Sequence, residues 1–194
     1  MTDLYRDPDA PVQPDQFAAE FSELLNLYEE LQPRRVLEIG IREGGTLYQW
    51  MKHTRPGALI VAIDLPGVRW GNPHKYPDVK IWQAWAAEFG HEIHVYFGNS
   101  QWQEAQFFAG KYSPFDFVFL DADHTYEGVK SDFKAYGLMA RAGGGVVAIH
   151  DILPDDTDEL IQVGRFWEEL KAGLTWLEYT SGQAERRGIG VVYV

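Results

Sequence analysis

The sequence of 194 residues contains no cysteine and no long apolar run. Without cysteine the chain can form no disulfide, thiolate nucleophile or thiolate metal site. No uninterrupted apolar stretch approaches the roughly 18 residues of a membrane-spanning helix. The first residues carry charges and prolines where a signal peptide has an apolar stretch. We therefore expect a cytoplasmic protein with no membrane partner.

Basic residues are also scarce, since 17 Lys and Arg stand against 29 Asp and Glu and give a net charge of −12. Nucleic-acid affinity comes mostly from basic side chains that neutralise phosphates, so this balance disfavours a nucleic-acid partner. Apolar residues make up 45% of the chain, which favours a globular fold over disorder. The length fits one α/β domain with a substantial core.

Short apolar runs alternate with amphipathic segments along the chain. The predicted strands are 36–39, 59–63, 93–97, 115–120, 146–149, 175–179 and 189–194. The predicted helices are 15–31, 45–53, 78–89, 98–109, 126–139 and 158–171. The pattern predicts an α/β, doubly wound three-layer sandwich, with a mostly parallel seven-stranded sheet and a reversed last strand. Residues 1–32 would form an irregular arm and a helix, and residues 33–194 the main domain.

The loop after the first strand indicates the kind of ligand. Glycines at positions 40, 44 and 45 fit the strand–loop–helix opening of a nucleotide-binding fold. A dinucleotide fingerprint needs another glycine where Arg42 stands, so that the backbone can approach a pyrophosphate. Bulk at that place and the carboxylate of Glu38 favour a ligand with a cationic end and no phosphate. S-adenosylmethionine (SAM) is such a ligand.

Polar residues stand at the end of each of the five alternating strands. They are Glu38 and Gly40, then Asp64, then Asn99, Ser100 and Gln101, then Asp121, Asp123 and His124, and finally His150 and Asp151. Because ligands bind at the carboxyl ends of parallel strands, this register predicts one shared site. Asp64 lies 24 positions after Gly40, where an acid would accept hydrogen bonds from a ribose diol. Singly, each residue could instead be a solvated strand end or a helix cap.

Four motifs together resemble a known superfamily. They are Glu-x-Gly-x-x-x-Gly-Gly-Thr at 38–46, the acid at 64, Gly-x-Ser-Gln at 98–101, and Asp-x-Asp-His-x-Tyr at 121–126. In this order they are similar to class I SAM-dependent methyltransferases. The likeness is greatest to small metal-dependent O-methyltransferases of the catechol and caffeoyl-CoA type, and to bacterial sugar or antibiotic O-methyltransferases. It runs from about residue 33 to 152.

The resemblance implies a role for each cofactor-binding residue. Residues 38–46 would wrap the methionine portion of SAM, with Thr46 bound to its carboxylate. Asp64 would hold the ribose, and Ser100 and Gln101 would border the adenine, with Asn99 beside them. The full predicted set is Glu38, Gly40, Gly44, Gly45, Thr46, Asp64, Asn99, Ser100, Gln101 and Asp121.

The resemblance also implies a divalent metal, Mg²⁺ or Mn²⁺, held by Asp121, His150 and Asp151. The two acids match the carboxylate ligands of such enzymes. His150 stands where some sugar-modifying relatives have an acid, and an imidazole suits Mn²⁺, Fe²⁺ or Zn²⁺ better than Mg²⁺. Alternatively, His150 is a buried imidazole bound to backbone and Asp151 caps a turn.

His124 is the predicted catalytic base, with Asp121 and His150 beside it in the catalytic set. It lies where catechol-type relatives place a lysine near the accepting hydroxyl, and its ordinary pKa near 6.5 suits proton removal close to neutrality. Alternatively, His124 ties its loop to Tyr126 and Glu127.

The predicted function is transfer of a methyl group from SAM to a hydroxyl of a small-molecule acceptor. A nicotinamide-dependent oxidoreductase and a non-catalytic SAM-binding protein are the alternatives. The Gly- and Pro-rich segment 66–77 could be a lid or an inert loop. An amphipathic first helix and abundant aromatic residues make a homodimer plausible.

Overall fold

The computed structural model describes residues 3–67, 79–153, 158–181 and 187–194. The strands are β1 (Arg35–Ile39), β2 (Leu59–Asp64), β3 (Glu92–Phe97), β4 (Phe117–Leu120), β5 (Val146–His150), β6 (Thr175–Tyr179) and β7 (Ile189–Tyr193). The helices are α1 (Ala18–Leu31), α2 (Gly45–Lys52), α3 (Val79–Phe89), α4 (Gln103–Gly110), α5 (Tyr126–Tyr136) and α6 (Val163–Lys171). A short 3₁₀ helix, Gly137–Met139, follows α5.

The strands form one sheet in the order β3-β2-β1-β4-β5-β7-β6. Neighbours from β3 to β5 pair in parallel, and β7 runs antiparallel to both β5 and β6. This confirms the predicted mixed sheet, whose last strand alone is reversed within the described ranges. Because β2 and β4 lie on opposite sides of β1, a topological switch point falls beside β1, where open α/β sheets bind ligands.

Helices cover both faces of the sheet and bury two apolar clusters. Strand residues such as Val36 face α1, α2 and α3. Their neighbours, such as Leu37 and Ile39, face α4, α5 and α6, because successive side chains of a strand alternate between faces. Tyr28 and Trp50 join α1 to α2, with ring centroids 4.9 Å apart and a hydrogen bond from the Tyr28 hydroxyl to the Trp50 carbonyl.

The described residues before α1, 3–17, form an irregular segment that is attached to α2. Asp7 is buried and accepts hydrogen bonds from Lys52 Nζ at 2.7 Å and Gln49 Nε2 at 3.0 Å. Further along, the backbone of Gln13 crosses Gly45 so closely that a Cβ there would lie 2.5 Å from it. The arm therefore brings residues 13–16 to the carboxyl edge of the sheet.

Some predicted boundaries differ from the structure. The last helix, α6, begins at Val163 and not at 158, because Asp158 forms a turn whose Oδ1 accepts the Leu160 N–H at 3.1 Å. β5 reaches His150, one residue further than predicted. Residues 68–77 of the proposed lid lie outside the described residues. No helix of the described chain combines the length and apolarity needed to cross a bilayer.

Candidate functional site

A cavity of about 660 Å³ opens at the carboxyl edge of the sheet. Its size falls within the range of small-molecule sites. Most of the predicted site residues line it, namely Gly40, Gly45, Thr46, Asp64, Asn99, Ser100, Gln101, Asp121, His124, His150 and Asp151. Two predicted residues, Glu38 and Gly44, lie behind its wall.

Gly40 allows the ends of β1 and β4 to approach each other. Its φ is +94°, in the left-handed region that glycine tolerates, and a Cβ would collide with the carbonyl oxygen of Asp121. The Asp121 N–H donates to the Ile39 carbonyl at 2.8 Å on the same side. This close approach brings Asp121 into the crevice beside the first loop.

Glu38 acts on the cavity through Thr46. Its side chain is fully buried and accepts a hydrogen bond from the Thr46 hydroxyl. Burial raises the pKa of Glu38 to about 8, although the hydrogen bond from Thr46 opposes this shift. The sequence suggested that the Glu38 carboxylate attracts the cationic end of the ligand directly. In the structure Glu38 instead orients Thr46, which lines the cavity.

The two glycines that begin α2 are explained by packing. A Cβ at Gly44 would lie 2.5 Å from the indole nitrogen of Trp82. A Cβ at Gly45 would meet the backbone of the N-terminal arm. Both positions therefore need glycine irrespective of a ligand, and Gly45 also lines the cavity.

Asp64 stands at the end of β2 with one oxygen committed to the first loop. Its Oδ1 accepts the N–H groups of Ile41 at 3.0 Å and Arg42 at 3.4 Å, which leaves Oδ2 for a ligand hydroxyl. Burial raises the pKa of Asp64. Arg42 adopts a left-handed φ of 54° and forms an ion pair with Asp15 of the arm.

The turn after β3 is held by its own polar groups. Asn99 Oδ1 accepts the Gln101 N–H at 2.8 Å, so Asn99 shapes the turn. The hydroxyl of Tyr136 donates to the Ser100 carbonyl at 2.5 Å. Gln101 Nε2 donates to Asp123 Oδ2 at 3.1 Å, which joins this turn to the end of β4.

Asp121, His150 and Asp151 form a cluster whose potential ligand atoms lie within 4.8 Å of one another. His150 Nδ1 is 3.2 Å from Asp121 Oδ1 and 3.5 Å from Asp151 Oδ1. His124 closes the cluster, with Nε2 3.3 Å from Asp121 Oδ1 and Nδ1 3.5 Å from Asp151 Oδ2. Asp151 adopts a left-handed φ of 61°, a conformation that Asp tolerates better than most residues.

The charges of this cluster control its proton affinities. Burial alone would lower the pKa of His150, but the carboxylates of Asp151 and Asp121 raise it well above its ordinary value. The pKa of His124 is raised by the same two acids against the effect of burial. Burial would raise the pKa of Asp121, yet His150 and His124 hold it far below its usual range.

The donor set fits a divalent cation. Asp151 Oδ1 is buried and accepts no hydrogen bond from the part of the chain that the structure describes. A buried carboxylate oxygen without a hydrogen bond is costly, and a bound cation would stabilise it beyond the ion pair with His150. Two carboxylates and an imidazole suit Mn²⁺, Fe²⁺ or Zn²⁺ better than Mg²⁺, which prefers oxygen ligands.

A family model described as a methyltransferase domain matches residues 37–152. The match runs from β1 to just beyond the cluster of Asp121, His150 and Asp151. The chain belongs to this methyltransferase family. The match confirms the resemblance seen in the sequence motifs and the predicted enzyme class.

Solved structures of O-methyltransferases have the same fold as this methyltransferase. TomG from Streptomyces achromogenes, solved with SAM, is 24% identical with a TM-score of 0.66, and the match covers 96% of this chain and 82% of TomG. An O-methyltransferase from Bacillus cereus, solved with S-adenosylhomocysteine, is 22% identical with a TM-score of 0.65, over 96% of this chain and 84% of that chain.

A third similar structure contains a metal. MycE, from the mycinamycin biosynthetic pathway, was solved with Mg and S-adenosylhomocysteine. It is 19% identical with a TM-score of 0.58, and the match covers 89% of this chain but only 47% of MycE. At these identities the likeness shows that the fold is shared.

Three residues of the methyltransferase site were missed in the sequence, namely Gln16, Glu20 and Arg187. Gln16 contacts Asp121, and Glu20 contacts His150. Arg187 lines the cavity, and its Nη1 donates to the Asp15 carbonyl at 2.9 Å. A signal existed for Glu20, since it falls between Phe17 and Phe21 on the apolar stripe of α1. An acid in a buried stripe indicates a buried partner.

Proposed function

We propose that this methyltransferase moves a methyl group from SAM to a hydroxyl of a small molecule. One observation carries the proposal: a single cavity is lined on one side by Thr46, Asp64 and Ser100 and on the other by the cluster around Asp121 and His124. The first group would hold the cofactor, as the resemblance implies, and the second could bind and deprotonate an oxygen nucleophile. A donor and an acceptor would therefore meet inside one cavity.

The charge of the cavity supports a cationic donor. Among the residues that the structure describes, six acids line it, namely Asp15, Glu43, Asp64, Asp121, Asp123 and Asp151, against the two arginines Arg42 and Arg187 and the two histidines His124 and His150. This balance favours the sulfonium and ammonium of SAM over the diphosphate of a nicotinamide cofactor. With the net charge of −12, it also favours a small-molecule acceptor over a nucleic acid.

The chemical demand on the protein is alignment and proton removal. Methyl transfer is an in-line displacement at a carbon already activated by sulfonium, so orienting the acceptor oxygen supplies much of the rate. His124 would take the acceptor's proton, and Asp121, 3.3 Å from its Nε2, would stabilise the resulting imidazolium. A divalent cation held by Asp121, His150 and Asp151 would lower the pKa of a bound hydroxyl.

The direct test is transfer of an isotope-labelled methyl group from SAM to a panel of hydroxylated small molecules. We expect label in a product that mass spectrometry and NMR identify as an O-methyl ether. Label found only on nitrogen or carbon would contradict O-methylation. Binding of S-adenosylhomocysteine with no transfer to any acceptor would favour a non-catalytic SAM-binding protein.

The role of His124 is tested by His124→Ala. We expect turnover to fall by about 10²- to 10⁴-fold, the usual contribution of a general base. Affinity for S-adenosylhomocysteine should stay unchanged. His53→Ala is the matched control, because His53 follows α2 and pairs with Glu29 at the other end of the sheet. Equal turnover in both variants would reject the catalytic role.

A further inference from the structure

We propose that Glu20 is a positioning residue that orients the imidazole of His150 toward Asp121 and Asp151. The inference rests on the metal-assisted site of the proposed function, and it concerns how the chain orients His150, the nitrogen ligand of the metal. Glu20 lies on α1, whereas the residues of the cluster lie at the ends of strands. It is buried, with only 1% of its surface exposed.

Backbone groups hold the carboxylate of Glu20 in place. Its Oε1 accepts the N–H of Phe17, the residue before α1, at 3.4 Å. Its Oε2 accepts the N–H of Gly188, just before β7, at 2.8 Å. Because both anchors are main-chain groups, the carboxylate has a fixed direction, and its Oε1 is available to a third donor.

That third donor is His150. Its Nε2 lies 3.4 Å from Glu20 Oε1, while its Nδ1 lies 3.2 Å from Asp121 Oδ1. The ring is buried and lies between Glu20 on one side and the carboxylates of Asp121 and Asp151 on the other. A hydrogen bond from Nε2–H to Glu20 leaves the Nδ1 lone pair directed at the cluster. Metal-binding histidines usually donate their second ring N–H to a carboxylate in this way, which fixes the tautomer and the ring orientation.

Glutamine at position 20 would keep the size of the side chain but break this arrangement. Three N–H donors, from Phe17, Gly188 and His150, face the carboxylate. An amide has one oxygen to accept them, and its own N–H groups oppose the others. The His150 tautomer and ring orientation would then no longer be fixed.

The test is a titration with Mn²⁺ alone, in which electron paramagnetic resonance measures the free ion. We expect Glu20→Gln to weaken Mn²⁺ binding about 10- to 100-fold, the usual cost of losing such a partner. Glu23→Gln, an exposed change on the same helix, should bind Mn²⁺ as the parent does. In a His150→Ala background, Glu20→Gln should cause no further loss, because its effect passes through His150.

Two results would overturn the inference. The first is a folded Glu20→Gln protein with the parent's Mn²⁺ affinity. The second is a Glu20→Gln change that lowers Mn²⁺ affinity as much in the His150→Ala background as in the parent, which would mean that Glu20 has a general structural role. A parent that binds no Mn²⁺ overturns it too. In that case binding of S-adenosylhomocysteine, measured separately, still decides whether the methyltransferase assignment stands.

A spectroscopic measurement on the parent protein covers the case in which Glu20→Gln does not fold. The ¹⁵N shifts of labelled histidine in the Zn²⁺-loaded protein report which ring nitrogen carries the proton, and His150→Ala identifies the signal. We expect the proton on Nε2 of His150. A proton on Nδ1 would contradict the proposal.

Discussion

The side-chain amide of Gln16 donates a hydrogen bond of 2.9 Å to Asp121 Oδ2, although the two residues are 105 positions apart. The other oxygen of Asp121 faces His124 and His150. Gln16 precedes α1 and Glu20 lies in the first turn of α1, and each contacts a different member of the cluster. The N-terminal segment thus completes a site whose other parts come from strand ends.

Removing the Gln16 amide should loosen Asp121. In Gln16→Ala, we expect the affinity for Mn²⁺ and the rate of methyl transfer to fall about 10-fold, since Asp121 loses the partner that orients it. Gln103→Ala, an exposed change at the start of α4, is the control. Unchanged affinity and rate in Gln16→Ala would show that Asp121 needs no such support.

Metal removal should distinguish the ligand types. We expect exhaustive chelation to abolish methyl transfer, and Mn²⁺ to restore it better than Mg²⁺ because His150 supplies nitrogen. His150→Asn, which offers an amide oxygen, should shift the preference toward Mg²⁺. The readout is the ratio of rates with the two ions. Activity indifferent to chelation would remove Asp121 and Asp151 as ligands.

Glu38 should make stability depend on pH. Its pKa is about 8 in the folded protein against an ordinary 4.5, so its contribution is fully present below the lower value and is lost as pH rises through the higher one. Urea unfolding of Glu38→Gln should show no such loss. We expect the variant to gain a few kcal/mol relative to the parent between about pH 5 and pH 8, because one pKa unit corresponds to about 1.4 kcal/mol.

Glu23→Gln serves as the control for that comparison, since its carboxylate is exposed. Its stability should follow the parent's at every pH. A difference between Glu38→Gln and the parent that does not change with pH would mean that Glu38 is ionised in the folded state, contrary to its burial.

The strand ends were predictable from the sequence. Asp64, Asp121 and Asp151 each follow an apolar run, and parallel strands deliver their carboxyl ends to one edge. The structure brings all three to one cavity, together with His150. Their chemical roles remain predictions, because the same rule says where a side chain stands and not what it binds.

Residues outside the β–α alternation were not predictable in this way. Gln16 and Glu20 precede β1, and their position depends on how the arm attaches to α2 through Asp7 and Lys52. No local pattern encodes such a long-range contact. The complete burial of Glu38 was also not predictable. Alternation along β1 predicts which face of the sheet a side chain lies on, but not that Thr46 covers the carboxylate.

The central claim is a cavity built for an adenosyl sulfonium, and calorimetric titration with S-adenosylhomocysteine tests it most directly. We predict saturable binding by the parent and by Asp3→Ala, an exposed control. Asp64→Ala should bind about 10- to 100-fold more weakly, since hydrogen bonds to a charged group contribute about 1.5–3 kcal/mol each. No binding by the parent at millimolar ligand, or equal binding by Asp64→Ala, would contradict the account.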